Sequence, residues 1–190
     1  MRPPPASLLL LLSCCRVAVA AGPPVPHRIQ AWQDARMHAA DPVAGARALA
    51  VRLLGTAIAK HIVFEELHGE PTEVFSIGRR GGQPLVSGSS GVALTTGLYH
   101  YLKYFCNASV SVGALPQLAL PQPLPLPHTP LRIPSPMQFH WYGSFMANSY
   151  TQAFWGWKRW ESHLDWCALL GFDLVMVCES LPPHPPPFGR

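Results

Sequence analysis

Two short apolar runs flank a helical stripe between residues 138 and 180, and that order restricts the chain more than any other feature. Residues 139–142 form an aromatic extended run. Residues 174–178 form an apolar run short enough for a strand buried on both faces. Between them Trp157, Trp160, Leu164 and Cys167 recur at three- and four-residue spacing, one face of a helix. Gly171 stands where a left-handed C-cap belongs. A strand–helix–strand unit of this length implies two parallel strands joined by a right-handed crossover. In a repeated β/α fold chemistry gathers at the C-terminal ends of the strands, which here are residues 143–146 and 178–180. The chain then runs into Leu-Pro-Pro-His-Pro-Pro-Pro-Phe-Gly-Arg, residues 181–190, a proline-rich divergent tail. The stretch 137–180 therefore reads as the start of an incomplete (α/β)8 TIM-type barrel.

A smaller α/β domain precedes it, over residues 41–112. Asp41-Pro42 is a helix start, an N-cap oxygen followed by proline at the first helical position. Val43, Ala46, Ala50, Leu53 and Leu54 continue on one face, and Gly55 closes the helix. Strands are expected at 62–67, 74–77 and 84–86, with turns at Gly69-Glu70-Pro71 and at Arg79-Arg80-Gly81-Gly82. Ser87-Gly-Ser-Ser-Gly91 leads into a helix over 92–105, with Val92, Leu98, Tyr101, Leu102 and Phe105 on its stripe. Free backbone N–H groups there could hold a phosphate. No lysine follows at phosphate-loop spacing, so a tight strand-to-helix turn that needs glycine is the preferred reading. Residues 113–136 are a linker by composition. Their prolines break helices and exclude a central strand, and the interspersed leucines suggest that the segment packs down between the two domains.

Residues 1–22 read as a signal peptide. Arg2 supplies positive charge, residues 8–12 are a short apolar core, and Ala18-Val19-Ala20 fits a small-residue cleavage site. The run is too short to span a bilayer, so a stable membrane anchor is not expected and entry to the secretory pathway is. Cleavage leaves Cys106, Cys167 and Cys178, an odd set without scaffold spacing, read as buried thiols whose pairing stays open. In that compartment Asn107-Ala-Ser109 is a glycosylation sequon. The formal charge is +4 and no run of Lys or Arg exceeds two residues, which argues against a nucleic-acid partner. No zinc-type spacing or phosphate-loop pattern occurs, so no metal and no cofactor are expected.

Aromatic residues crowd the region after the first barrel strand: Trp141, Tyr142, Tyr150, Phe154, Trp155, Trp157 and Trp160. Trp157 and Trp160 follow the helical stripe and are expected in a core. Tyr150 and Trp155 fall in the loop where a barrel holds its substrate, and aromatic faces suit the C–H face of a sugar ring. Glycoside hydrolysis needs two carboxyl groups flanking the scissile bond. The acids at hand are Glu161, Asp165, Asp173 and Glu179. Glu161 and Asp165 are spaced for a solvated helix face, and Asp173 begins a strand, at the wrong end. Glu179 is at the right end but alone. No catalytic residue is assigned.

Several pieces are similar to the lysosomal alpha-N-acetylglucosaminidase family: Ala46-Arg-Ala-Leu-Ala-Val-Arg-Leu-Leu-Gly55, Gly88-Ser-Ser-Gly-Val92 with Gly97-Leu-Tyr-His-Tyr-Leu102, the Leu-Pro linker, and the run from Ser149-Tyr150 through Trp155, Trp157, Arg159-Trp160-Glu161, Asp165-Trp166 and Ala168-Leu-Leu-Gly171. The resemblance implies retaining hydrolysis of terminal alpha-linked N-acetylglucosamine in heparan sulfate-type glycans, lysosomal delivery, and a barrel completed by later strands that carry the two catalytic glutamates. It places Ser144 and Met146 at positions that line the family's sugar pocket, so Ser144, Met146, Tyr150 and Trp155 are the sugar-binding candidates. The chain departs from the family where Gly156 replaces an acid in a Trp-Trp-Asp-Trp motif. The expected partner of a completed form is a glycan ending in N-acetylglucosamine; the chain alone is expected to be inactive, and its oligomeric state is not fixed. The alternative is a secreted non-catalytic carbohydrate-binding protein or pseudoenzyme.

Overall fold

Local signals set the first helix. Asp41 caps α1 (Pro42–Leu54): its Oδ1 accepts the backbone N–H of Val43 at 2.9 Å and of Ala44 at 3.1 Å. Pro42 has no N–H to satisfy in that first turn. Gly55 ends the helix at φ 77°, and a single turn, α2 (Thr56–Ala59), leads to β1 (Val63–Glu66). There follow β2 (Val74–Arg80), β3 (Gln83–Gly88), α3 (Gly91–Tyr104), β4 (Leu131–Pro134), β5 (Trp141–Tyr142), α4 (Trp157–Leu169) and β6 (Leu174–Val175). The computed structural model describes residues 41–111, 118–137, 139–143, 152 and 154–176, all within one compact unit. The predicted signal peptide and the proline-rich tail lie outside the described residues.

The first sheet has the order β1-β3-β2-β4. Gly81 and Gly82, at φ 55° and 78°, form the two-residue loop of the β2–β3 hairpin, with Arg80 opposite Gln83. Positive φ at both central residues is the turn that matches the twist of the flanking strands. β1 pairs with β3 in parallel, Val63 opposite Leu85. The bend at Gly69 therefore does not fold β1 back on β2; it carries the chain past the slot that β3 later fills.

β4 lies inside the stretch expected to be linker. It pairs antiparallel with the outer edge of β2, from Val74↔Pro134 to Ile77↔Leu131. Proline is tolerated at this position because an edge strand has N–H groups that need no partner in the sheet. The rest of the segment does pack down. Leu118, Leu120 and Leu124 lie against the core, Pro127 is fully buried, and Tyr101 donates its hydroxyl to the Pro125 carbonyl at 2.8 Å.

α3 presses on the sheet. Leu94, Leu98, Tyr101 and Leu102 are fully buried against Phe75, Ile77 and Val86 and against Ala46, Leu49 and Ala50 of α1. A Cβ at Gly97 would stand 2.8 Å from Val86, and one at Gly88 would stand 2.6 Å from the backbone nitrogen of Leu94. The serines between are engaged in holding backbone: Ser89 Oγ accepts the N–H of Val74 at 2.9 Å, and Ser90 caps α3 through the N–H of Ala93 at 3.0 Å. The stretch 87–91 is thus a close-packed strand-to-helix turn, as the preferred reading had it.

The second unit is β5–α4–β6, with the strands parallel and Trp141 opposite Leu174 and Tyr142 opposite Val175. α4 ends as its sequence asks: Gly171 sits at φ 83°, its N–H reaching Ala168 O at 3.2 Å, while Phe172 N–H reaches Cys167 O at 3.0 Å. Both bonds of the paired left-handed cap are present. The buried face differs from the expected stripe. Trp160, His163, Cys167 and Leu169 are inside, and Trp157 is 44% exposed. The helix is rotated because it must cover two neighbours, its own strands and the first domain. Leu169 belongs to the same core cluster as α1 and α3. Thr95 on α3 donates to the Ala168 carbonyl at 2.8 Å. Arg52 on α1 grips Asp165 with two parallel bonds, Nε to Oδ2 at 2.7 Å and a terminal nitrogen to Oδ1 at 2.6 Å. Asp165, expected on a solvated face, is an inter-element clamp, its partner lying 113 residues away.

Gly88→Ala should destabilise the chain by about 1–3 kcal/mol, because the added methyl meets backbone atoms that cannot step aside. Gly78→Ala, where nothing lies within 4 Å of the built Cβ, is the control and should leave the melting temperature nearly unchanged. A double-mutant cycle of Arg52→Ala and Asp165→Ala should return a coupling of about 1 kcal/mol that shrinks in high salt. Additive single effects would remove the clamp as a stabilising contact.

Candidate functional site

The C-terminal ends of β5 and β6 are where a β/α unit presents its chemistry. Ser144, Met146 and Tyr150, together with Cys178 and Glu179, lie outside the described residues. Trp155 is described, half-buried just ahead of α4. Its ring meets Trp160 and His163 edge-on at centroid distances of 5.3 and 5.2 Å. The Arg159 guanidinium lies over it, 4.7 Å from the centroid. Trp155 and Arg159 lie on either side of Gly156, the N-cap of α4, and the cation sits over the indole ring.

Behind Trp155 is a polar group that the sequence reading passed over. His163 is 5% exposed and ringed by Tyr142, Trp155, Trp160 and Trp166. Among the described residues its Nδ1 finds no hydrogen-bond partner, and its Nε2 stands 3.8 Å from Cys167 Sγ. Burial lowers its pKa from the ordinary value, because a charged imidazole in this aromatic setting has lost its water. Burial pushes the Cys167 thiol up to about 11 and also raises that of Cys106. Both are free, buried thiols, neutral and poor nucleophiles.

The acids sort by position. Glu161 lies 4.0 Å from Arg52 beside the Asp165 clamp. Asp173 precedes β6 and is at the opposite, N-terminal end of the strands. Its Oδ2 accepts the backbone N–H of His140 at 2.9 Å and lies 3.4 Å from His140 Nδ1. Glu73, which also contacts the hydroxyl of Ser90, comes close to this pair. No two carboxyl groups face one another across the C-terminal end among the described residues. Asn107 of the sequon is exposed at φ 53°, just past α3, and Ser109 is exposed beside it.

His163 makes stability pH-dependent with a definite sign. Its folded pKa is below the unfolded value of about 6.5, so the unfolded chain takes up the proton first as pH falls. The stabilising contribution is complete above about pH 6.5 and is lost below it. His100, also lowered by burial, acts in the same direction. The melting temperature should fall between pH 7.5 and pH 5, and His163→Phe should flatten the fall. An unchanged pH slope in that variant would show that the imidazole is not the group responsible.

The comparisons with known proteins follow the two structural units. Residues 44–126 match the N-terminal domain of alpha-N-acetylglucosaminidase, and residues 140–181 match that family's tim-barrel domain. Human alpha-N-acetylglucosaminidase is 37% identical over 139 residues, which are 70% of this chain and 19% of the human protein. A family 89 glycoside hydrolase from Clostridium perfringens, solved with PUGNAc, superposes with a TM-score of 0.65 at 29% identity, over 77% of this chain and 16% of that one. A doubly substituted form of the Clostridium enzyme, solved with its substrate GlcNAc-alpha-1,4-galactose, gives the same values. A third structure, with 2-acetamido-1,2-dideoxynojirmycin, gives a TM-score of 0.67 at 27% identity, over 80% and 18% of the two chains. The chain spans less than a fifth of the length of each of these relatives. With both domain models matched in order, and with a small α/β domain docked on a parallel β-α-β unit, the chain belongs to the alpha-N-acetylglucosaminidase family.

Proposed function

We propose that this chain is the N-terminal part of an exo-glycosidase that removes terminal alpha-linked N-acetylglucosamine from heparan sulfate-type glycans by a retaining mechanism. The observation that carries the reading is the joint between the two units. α4 of a parallel β-α-β unit is gripped by Arg52 and Thr95 of the small domain, in a chain that matches both domains of one glycosidase family. The Clostridium relative acts on GlcNAc-alpha-1,4-galactose, which supports an alpha-linked N-acetylglucosamine at the non-reducing end as the group bound here.

Retention requires two carboxyl groups about 5–5.5 Å apart across the scissile bond. In this proposal they come from later barrel strands, and the chain as given hydrolyses nothing. Ser144, Met146, Tyr150 and Trp155 would line the pocket of a completed barrel. Residues 1–22 would direct the chain into the secretory pathway, Asn107 would carry a glycan, and delivery would be lysosomal. One observation favours the alternative of a non-catalytic carbohydrate-binding protein. Gly156, the N-cap of α4, makes no side-chain cap bond, and it replaces the acid of the family motif near the sugar site.

Purified chain incubated with an aryl alpha-N-acetylglucosaminide should release no aryl group, and detectable release would overturn the predicted inactivity. The intact mass of the endogenous, deglycosylated protein should be several times 20.8 kDa. A mass near that of this chain, with retained affinity for N-acetylglucosamine glycans, would replace the glycosidase reading by the binding one.

A further inference from the structure

The N-terminal ends of β5 and β6 meet the edge of the first sheet at a cluster outside the sugar site. Glu73 precedes β2, His140 precedes β5 and Asp173 precedes β6. One donor atom from each lies within 4.8 Å of the other two. We propose that Glu73, His140 and Asp173 bind one divalent transition-metal ion, zinc by donor set, as a staple between the small domain and the base of the barrel unit. This inference does not rest on the glycosidase reading.

The geometry of this hydrogen-bonded joint also fits an ion. The Asp173 side chain is fully buried, and the backbone N–H of His140 fixes its Oδ2 at 2.9 Å. The His140 imidazole stands off the same oxygen at 3.4 Å, and its other nitrogen is 3.5 Å from Ser135 Oγ. Both are long hydrogen bonds, the usual range being about 2.7–3.2 Å. A tetrahedral zinc with ligands at about 2.1 Å holds them about 3.4 Å apart, which is the spacing of His140 Nδ1 and Asp173 Oδ2. One imidazole and two carboxylates are a borderline-to-hard set that zinc accepts.

The surroundings supply what a metal site needs beyond its ligands. Each ligand is oriented by a neighbour: Glu73 by the Ser90 hydroxyl, Asp173 by the His140 backbone, and the His140 ring by Ser135 at Nε2, which leaves Nδ1 for the ion. Glu73, Ser135 and His140 line a cavity of about 180 Å³ that also touches Leu170 and Gly171. That is room for an entry path and for a water as fourth ligand. The three residues are far apart in sequence, so no motif spacing reveals them.

Titration calorimetry of zinc chloride into the chelator-stripped full chain tests the proposal. One equivalent should bind per chain. Glu73→Gln, which keeps an oxygen for Ser90, and His140→Ala should each weaken that binding tenfold or more. Zinc should raise the melting temperature of the wild type and leave that of Glu73→Gln unmoved. Circular dichroism without zinc identifies any variant that fails to fold, and Asp173→Asn, which keeps an acceptor for the His140 N–H, then serves in its place. Replacing the exposed His61 and His68 should leave the stoichiometric binding intact. Absence of binding at millimolar zinc, or equal binding by wild type and folded variants, would overturn the site. Binding without a rise in melting temperature would overturn its role as a staple.

Discussion

The C-terminal turn of α4 depends on α3 of the other unit. Its last carbonyls need donors. Gly171 and Phe172 supply two from the chain itself, and Thr95 supplies a third to Ala168 across the interface. With that end fixed, Leu169 drops into the core shared by α1 and α3. Burying one leucine contributes about 2 kcal/mol, whereas a partly exposed bidentate ion pair contributes about 1 kcal/mol at most. Apolar burial therefore supplies most of the attraction. The Arg52–Asp165 fork, with a narrow geometry and little net energy, sets the rotation of the helix. In that rotation Trp160, His163 and Cys167 are buried, His163 against Tyr142 of β5, and Trp157 is left partly exposed.

What the sequence made legible is what local chemistry decides. Asp41, Gly55, Ser90 and Gly171 each act within a few residues of their own backbone, and each sits where its residue type predicts. The hairpin at Gly81-Gly82 is local in the same sense. Partners distant in sequence were not legible. Asp165 reads as a solvated acid until Arg52 is brought to it. β1 reads as the neighbour of β2 until β3 enters between them. β4 was hidden by its prolines, which exclude a central strand and are harmless at an edge. The stripe on α4 was misplaced by a different cause. His163 looks polar in a sequence, and only its cage of aromatic rings shows that the helix treats it as a core residue.

The sugar-site candidates divide in the same way. Trp155 was singled out by its loop position, but the placing of Arg159 over its ring depends on the register of α4. Tyr150 was singled out by the same loop position, and Ser144 and Met146 were assigned by resemblance to the family, since no periodicity or spacing distinguishes them. The acids were read by position alone. That reading was right in placing Asp173 at the N-terminal end of the strands, and it missed that the same end gathers Glu73 and His140.

The two ends of the β-α-β unit are therefore built from opposite materials. The C-terminal end of β5 carries aromatic rings, an uncharged buried imidazole and a covering arginine, and no facing pair of carboxyl groups among the described residues. The N-terminal end carries two carboxylates and a second imidazole within a few ångströms. Under the proposed function, the aromatic end would hold a neutral sugar through its C–H face, with the acids supplied by other strands. A carboxylate end against the neighbouring sheet cannot reach that sugar. It serves the joint instead, where converging charge must be balanced by protons, hydrogen bonds or a cation. The division follows from one constraint. Among the described residues, the small domain packs against the base of the unit and the side of α4.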